Sequence, residues 1–366
     1  MRSFEVTETI QGGRMNKEEA KNLLDVFLAK QRAHWYKPIQ IAEILYHKRI
    51  APNSFDILDL ESYRTRSKKW RDDISVELLG RKSTSSTRFQ DNLFENNAIP
   101  PQLLNILSEE NIKSGGAVET YIYKMFKDKH DQLSRALDYS LEATPETFNV
   151  LEFIGSFREE SGLKRSLDKI YEIIVYALFS TLTDELNLRM ELSVSEDRID
   201  LLREFESFTK SIMRLTVDQM THIESAKVYR VGVTNAADRG LDMFTNWGPV
   251  IQIKHLALDE ELAEEIVGSL HSDRIVIVCK SAEQKVIVSL LTQIGWKAKI
   301  QSIITEDDLA TWYSKALTGR YSNILGVKLL KNLADGISEE FPSLSQSDDS
   351  VLAQRHYDFI KSNFWV

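Results

Sequence analysis

The 366-residue chain is 42% hydrophobic and 28% charged, with a formal net charge of −9. That composition is globular rather than disordered or fibrous. No apolar run approaches the ~20 residues that span a bilayer, and the opening "MRSFEVTETIQGG" lacks the apolar core of a secretory signal. The single cysteine, Cys279, lies in the apolar run "IVIVC" and can form no intramolecular disulfide, so a cytoplasmic protein with no membrane partner is expected. A negative total weighs against a nucleic-acid partner. It is a sum over the whole surface, however, and metal-binding carboxylates with acidic outer helices can outweigh a local basic cleft.

In chain order, residues 16–48 place apolar side chains at three- and four-residue spacing, with Asn16 as cap and a break at Pro38. A dense basic patch follows: Arg64, Arg66, Lys68, Lys69 and Arg71. The small-polar run "RKSTSSTRFQDNLF", with Arg81, Lys82 and Arg88, reads as a loop. More helical stretches fill 96–170. The strongest is "SLDKIYEIIVYALFSTLTDEL", from Ser166 to about Leu186, whose broad apolar face indicates deep burial.

After Leu188 strands enter. "LRMELSVS", "KVYRVGVT", "GPVIQIKHL", "DRIVIVCK" and "WKAKIQSII" have strand patterns. Between them lie helical segments: "DLLREFESFTKSIMRL", "DEELAEEIVGSL", "SAEQKVIVSLLTQIG" and "TEDDLATWYSKAL". Ser281 with Gln284, and Thr305 with Asp308, have capping-box spacing, and Gly295 suits a helix stop. Strands alternating with helices of this length indicate an α/β sheet. The expected division is a mostly helical region over 1–159, a catalytic α/β domain over 160–320 and a helical tail over 321–366.

With "VYRVGVTN" and "VIQIKHL" on adjacent strands, their connection carries Asp238, Arg239, Gly240 and Asp242. Alternation in the second strand sends Val250, Gln252, Lys254 and Leu256 to one face and Ile251 and Ile253 to the other. Asp242 is then the natural carboxylate for a divalent cation, with Gln252 and Lys254 beside it. Such a cation polarises a phosphate oxygen and acidifies water, while a lysine steadies developing negative charge. Hard oxygen ligands suit Mg2+. A second acid is needed, because Gln252 is neutral. Glu172 is the candidate, a lone charge in an apolar stretch; Glu224 and Asp238 are rivals, and a helix-dipole role is the plainer reading of Glu172. On spacing alone, a strand end with a solvated lysine explains the same residues.

The wording is more specific than the spacing. "TNAADRGLDMFTNWGPVIQIKHL" (234–256) resembles type II restriction endonucleases of the PD-(D/E)XK superfamily, and within it the HaeII-type group; "SLDKIYEIIVYALFSTL" (166–182) resembles the helix before that group's core. The resemblance covers about 160–310. It implies a mixed central sheet flanked by helices, which would follow the largely helical N-terminal domain read from the pattern above. It also implies Mg2+-dependent hydrolysis of double-stranded DNA, a homodimer, and a palindromic site, here a GCGC-containing one. The metal aspartate maps to Asp242, the usual acidic position to Gln252 and the lysine to Lys254; the glutamine departs from the pattern.

Through that resemblance the basic residues become DNA contacts. Arg64 to Arg71 would neutralise phosphates, Arg81, Arg88 and Gln90 would reach base edges with Lys82 a DNA contact beside them, and Asn235 and Arg239 would touch the scissile strand. A solvated surface charge is the plain alternative for each. His255, opposite Lys254 by alternation, is expected to pack or support rather than act as a base. No His/Cys cluster has zinc spacing, and no phosphate loop or dinucleotide fingerprint is present, so no nucleotide cofactor is expected. Two competing readings are a non-catalytic DNA-binding or assembly protein that keeps the fold, motivated by Gln252, and a small-molecule α/β enzyme, motivated by the acidic charge.

Overall fold

The computed structural model describes residues 16–31, 35–80, 82, 99–159, 163, 166–231, 241–269, 272–282, 300–341 and 350–365. Two compact units emerge. One comprises 1–139, 155–167 and 337–366; the other comprises 140–154 and 168–336.

The first unit is built on α1 (Lys17–Ala29), α2 (Tyr36–Ile50), α3 (Arg64–Leu79), α4 (Pro101–Lys113) and most of α5 (Ala117–Glu142). Asn16 caps α1 in a reciprocal box with Glu19. Pro38 does not mark the break that the sequence suggested. It sits in the first turn of α2, where its missing N–H costs nothing, and the chain turns at Trp35, in left-handed conformation. Ile39, Ile41, Ile44 and Leu45 of α2 pack with Leu103, Leu104 and Leu107 of α4 and with Tyr123.

That core is closed by residues from far along the chain: Leu352, Tyr357 and Trp365. Two buried carboxylates fix them. Glu43 accepts both Arg355 guanidinium nitrogens, at 2.6 and 3.1 Å, and the Tyr123 hydroxyl. Glu119 accepts Asn111 Nδ2 at 2.7 Å, the Tyr357 hydroxyl at 3.1 Å and the Arg49 guanidinium.

In chain order, α6 (Val150–Glu159) and α7 (Leu167–Glu185) follow α5. A two-stranded antiparallel ribbon follows, β1 (Arg189–Ser193) with β2 (Thr221–Ser225). The helices α8 (Ile199–Glu204) and α9 (Glu206–Met213) connect its strands. The central sheet has five strands in sequential order: β3 (Val228–Arg230), β4 (Met243–Thr245), β5 (Val250–Leu258), β6 (Ile275–Ala282) and β7 (Ile300–Ile304). The first three run antiparallel and the last three parallel. The sheet is therefore mixed, and α10 (Glu260–Ser269) makes the β5–β6 crossover. The continuous apolar run of β6 reflects a strand covered on both faces. Ile275, Ile277 and Cys279 pack with Leu258, Ala263 and Ile266, while Cys279 O accepts the Tyr171 hydroxyl of α7 at 3.2 Å.

Two details depart from the sequence reading. The strands over 228–230 and 250–258 are not neighbours, because β4 lies between them. Ser281 belongs to β6 instead of capping a helix; the helix expected beyond it, with Gln284 and Gly295, lies outside the described residues. The box at Thr305 and Asp308 does open α11 (Glu306–Thr318). Helices α12 (Ser322–Glu340) and α13 (Ser350–Gln354) complete the described elements. Among the described residues no helix is long and apolar enough to cross a membrane.

Two outcomes follow from the first unit. Arg355→Ala strands Glu43 as an unpaired buried charge and should cost ~3–5 kcal/mol, read from urea denaturation. His47 stacks on Trp70 at 3.9 Å between ring centroids. Burial, with Arg355 and Arg66 nearby, lowers its pKa to about 4. Glu43, 3.8 Å away, does not reverse this because it is committed to Arg355. A lowered histidine pKa gives stability that is present above pH ~6.5 and lost as pH falls towards 4. His47→Gln should flatten that limb by ~1–2 kcal/mol, discounted for partial exposure, in stability measured against pH.

Candidate active site

The site is built at the end of the antiparallel part of the sheet. Strands β4 and β5 are joined by a tight turn in which Thr245 N and Oγ1 both donate to Pro249 O, at 3.0 and 2.9 Å. Gly248 has φ +118°, and a Cβ there would fall 1.8 Å from Arg274 Nη2, the nitrogen that donates to Trp247 O at 2.6 Å. Only glycine suits that close approach. The turn fixes the register Met243↔Ile251, and so sets Asp242, one residue before β4, against the middle of β5.

Asp242 is held by β5 itself. Its Oδ2 accepts the Ile253 backbone N–H and Gln252 Nε2, both at 2.6 Å, and its carbonyl accepts Val231 N–H at 2.9 Å. Burial raises its carboxyl to about 6, against the lowering effects of the Ile253 N–H, Lys254 and Lys169; Asp168 adds to the rise. A carboxylate short of water, with cations close by, is a feature of working sites.

Gln252 is 3% exposed. The strand face that carries it is not an open polar one: Val250 packs with the Ile275 and Ile277 cluster, and Gln252 pairs in register with Ile277. Its Oε1 is buried with no hydrogen-bond partner among the described residues. An unsatisfied buried amide oxygen is costly and calls for a ligand. Lys254 is half-buried and close enough to act on Asp242.

The pairing of β5 with β6 shifts between Lys254 and Ala257. Such a bulge re-aims side chains, and simple alternation does not carry past it. His255 Nδ1 meets the Asp168 carboxylate at the start of α7. Asp168 and Lys169 both act on the Asp242 charge, and Lys169 Nζ bridges both oxygens of Glu172, at 2.9 and 2.8 Å. The first turns of α7 thus bring the charges of Asp168 and Lys169 to bear on Asp242, with the buried Glu172 paired to Lys169. Sequence reading singled out Glu172 but not Asp168 as a site residue. The only available signal was the acid at the helix start, which the helix dipole explains equally well.

Other candidates fall elsewhere. Glu224 lies in β2 beside His222 and Asn246. Asp238, Asn235, Arg239, Arg81, Arg88 and Gln90 are outside the described residues. Of the basic patch, Arg64 pairs with Glu61 at 3.0 Å. Arg66 donates to Ser54 O and Ser62 O and lies over the Phe55 and Trp70 rings. Arg71 is buried on Asp72 and Gln40. Lys69 and Lys82 are exposed and Lys68 half-exposed.

The model of the HaeII restriction endonuclease family matches residues 20–357. The chain belongs to that family. The type II restriction enzyme HaeII of Haemophilus aegyptius is 55% identical over 340 residues, 93% of this chain and 96% of the relative. NgoBI of Neisseria gonorrhoeae, also a type II restriction enzyme, is 51% identical over 353 residues, 96% and 99% of the two chains. No solved structure matches. This family member is a PD-(D/E)XK-type endonuclease acting on double-stranded DNA.

Among the described residues no three His, Cys, Asp or Glu side chains are grouped to hold a metal. The orphaned Gln252 oxygen beside the Asp242 carboxylate still supplies hard donors of the kind Mg2+ takes. The buried acid carries a stability consequence. As pH rises from ~4 to ~6 the fold is penalised for an ionisation that the unfolded chain makes freely. In metal-free protein Asp242→Asn should therefore gain ~1–3 kcal/mol at pH 8 while losing cleavage. The gain should vanish below pH ~4 in thermal melts.

Proposed function

We propose that the chain is a Mg2+-dependent, site-specific homodimeric endonuclease, working in the cytoplasm, that cuts a GCGC-containing palindrome and leaves 5′-phosphate and 3′-hydroxyl ends. The observation carrying this reading is the convergence on β5: an acid gripped by Ile253 N–H, an amide oxygen without a partner, and a lysine beside both. Asp242 and Gln252 would hold the metal. When bound, the cation supplies charge to a phosphate oxygen and acidifies a water.

Each residue then has a stated task. Asp242 is kept in place by β5 and would hold the metal with little reorganisation. Lys254 offers positive charge to the phosphate as negative charge grows. Glu172 is the supplementary acid, and Lys169 restrains it until substrate arrives. Asp168 orients His255. Arg64, Arg66, Lys68 and Lys69 meet phosphates, with Arg71 bracing α3 from within. Arg81, Lys82, Arg88 and Gln90 address base edges, and Asn235 and Arg239 the cut strand. Residues 1–159 would be the recognition region, 160–320 the catalytic region and 321–366 a helical tail.

The test is digestion of a plasmid of known sequence with Mg2+ or with chelator, followed by sequencing of the fragment ends. Discrete cuts at one GCGC-containing palindrome, only with metal, are expected; metal-independent or scattered cutting would sink the reading. Lys254→Ala should lose cleavage by ~10³-fold or more while retaining DNA binding in gel-shift assays. Unchanged cleavage would remove Lys254 from the chemistry.

A further inference from the structure

Helices α8 and α9 bury one residue between them, Leu202. Phe205 separates the two helices, with φ −107° and ψ 24°, but Phe205 N still donates to Leu201 O at 3.1 Å and Thr209 N to Phe205 O at 3.0 Å, so a turn is kept on each side of it. Leu201, Phe205, Phe208 and Ile212 follow one another at helical spacing, four, three and four apart, along this pair of helices. They are 55, 51, 54 and 69% exposed. A helical segment this short is marginal in water without an apolar face to pack, and here that face is exposed among the described residues.

The size of the stripe identifies what fits. At ~200 Å² for a fully exposed side chain of this class, the four leave roughly 450 Å² of apolar surface, in the range where a patch is functional. At the ~60% apolar share of protein interfaces, that corresponds to ~750 Å² per subunit, close to the ~800 Å² of a standard interface. The pattern is also self-complementary. Four-three-four spacing reads the same in both directions. Residues 196–206 carry Glu196, Asp197, Asp200, Glu204 and Glu206 against Arg198 and Arg203, whereas 207–214 carry Lys210 and Arg214 and no acid. An antiparallel twofold pairing lays the acidic half of each stripe on the basic half of the other.

We infer that a second copy of this chain covers the α8–α9 stripe, antiparallel, with Phe205 against Phe208 of the partner subunit and Leu201 against Ile212 of the partner subunit. This rests on the homodimer reading above and gives it a surface.

The experiment is sedimentation equilibrium of the full chain, with Phe208→Glu/Ile212→Glu beside the wild type. The wild type should run at twice the 42.1 kDa chain mass. The variant should run at the single mass, its dimer dissociation constant raised at least ~100-fold, with an unchanged circular dichroism spectrum because both positions are exposed. In parallel, Phe205→Cys and Phe208→Cys proteins are mixed under mild oxidation. A mixed disulfide dimer, more abundant than either self-linked one, is expected. A dimeric variant, or absence of the mixed disulfide, overturns the surface while leaving the homodimer intact. A wild type that stays monomeric at tens of micromolar, with and without DNA, overturns both. If the glutamate variant does not fold, the disulfide result decides alone.

Discussion

A carboxylate fastened to the backbone of the strand beside it is the constraint on which this site depends. The Asp242 side chain takes the Ile253 N–H, so its position is set by the sheet and not by its own rotamer freedom. Every other site group is placed relative to that fastening. Gln252 is pinned by the same oxygen, Lys254 follows two residues on, and the start of α7 brings a second set of charges towards it. The cost is a buried acid that ionises reluctantly, stability given up to keep a carboxylate in a fixed position.

The acidic chain and its nucleic-acid substrate are reconciled by locality. The basic cluster on α3 does not act as a uniform patch. Arg71 is spent inside the unit, Arg64 is neutralised by Glu61 and Arg66 is engaged with carbonyls and rings, while Lys69 remains exposed. Net charge describes solubility and long-range attraction; it says little about a surface where some cations are structural and others are not.

What the sequence made legible was what local rules encode. The cap at Asn16, the capping box at Thr305, the buried α7 and the continuous apolar β6 are each written in a few adjacent residues. The convergence of Asp242, Gln252 and Lys254 was readable through family wording more than through spacing. Three features escaped because their causes are not local. Strand β4 is three residues long, too short for any period to show. The shift after Lys254 breaks the alternation on which face assignments rest, and it arises from pairing with β6. Asp168 meets His255 across 87 positions, a meeting that only the tertiary structure creates.

The grip of Glu43 on Arg355 spans 312 positions, and Leu352, Tyr357 and Trp365 fill the same core as α1 and α2. As the polypeptide leaves the ribosome, its first helices emerge long before the side chains that seal them. Vectorial folding, one finished domain after another, is closed to this unit. Its early helices gain the side chains that complete their core only after Arg355 and Tyr357 have been made. A DNA-cutting enzyme assembled this way seals its first unit only after its second has been made.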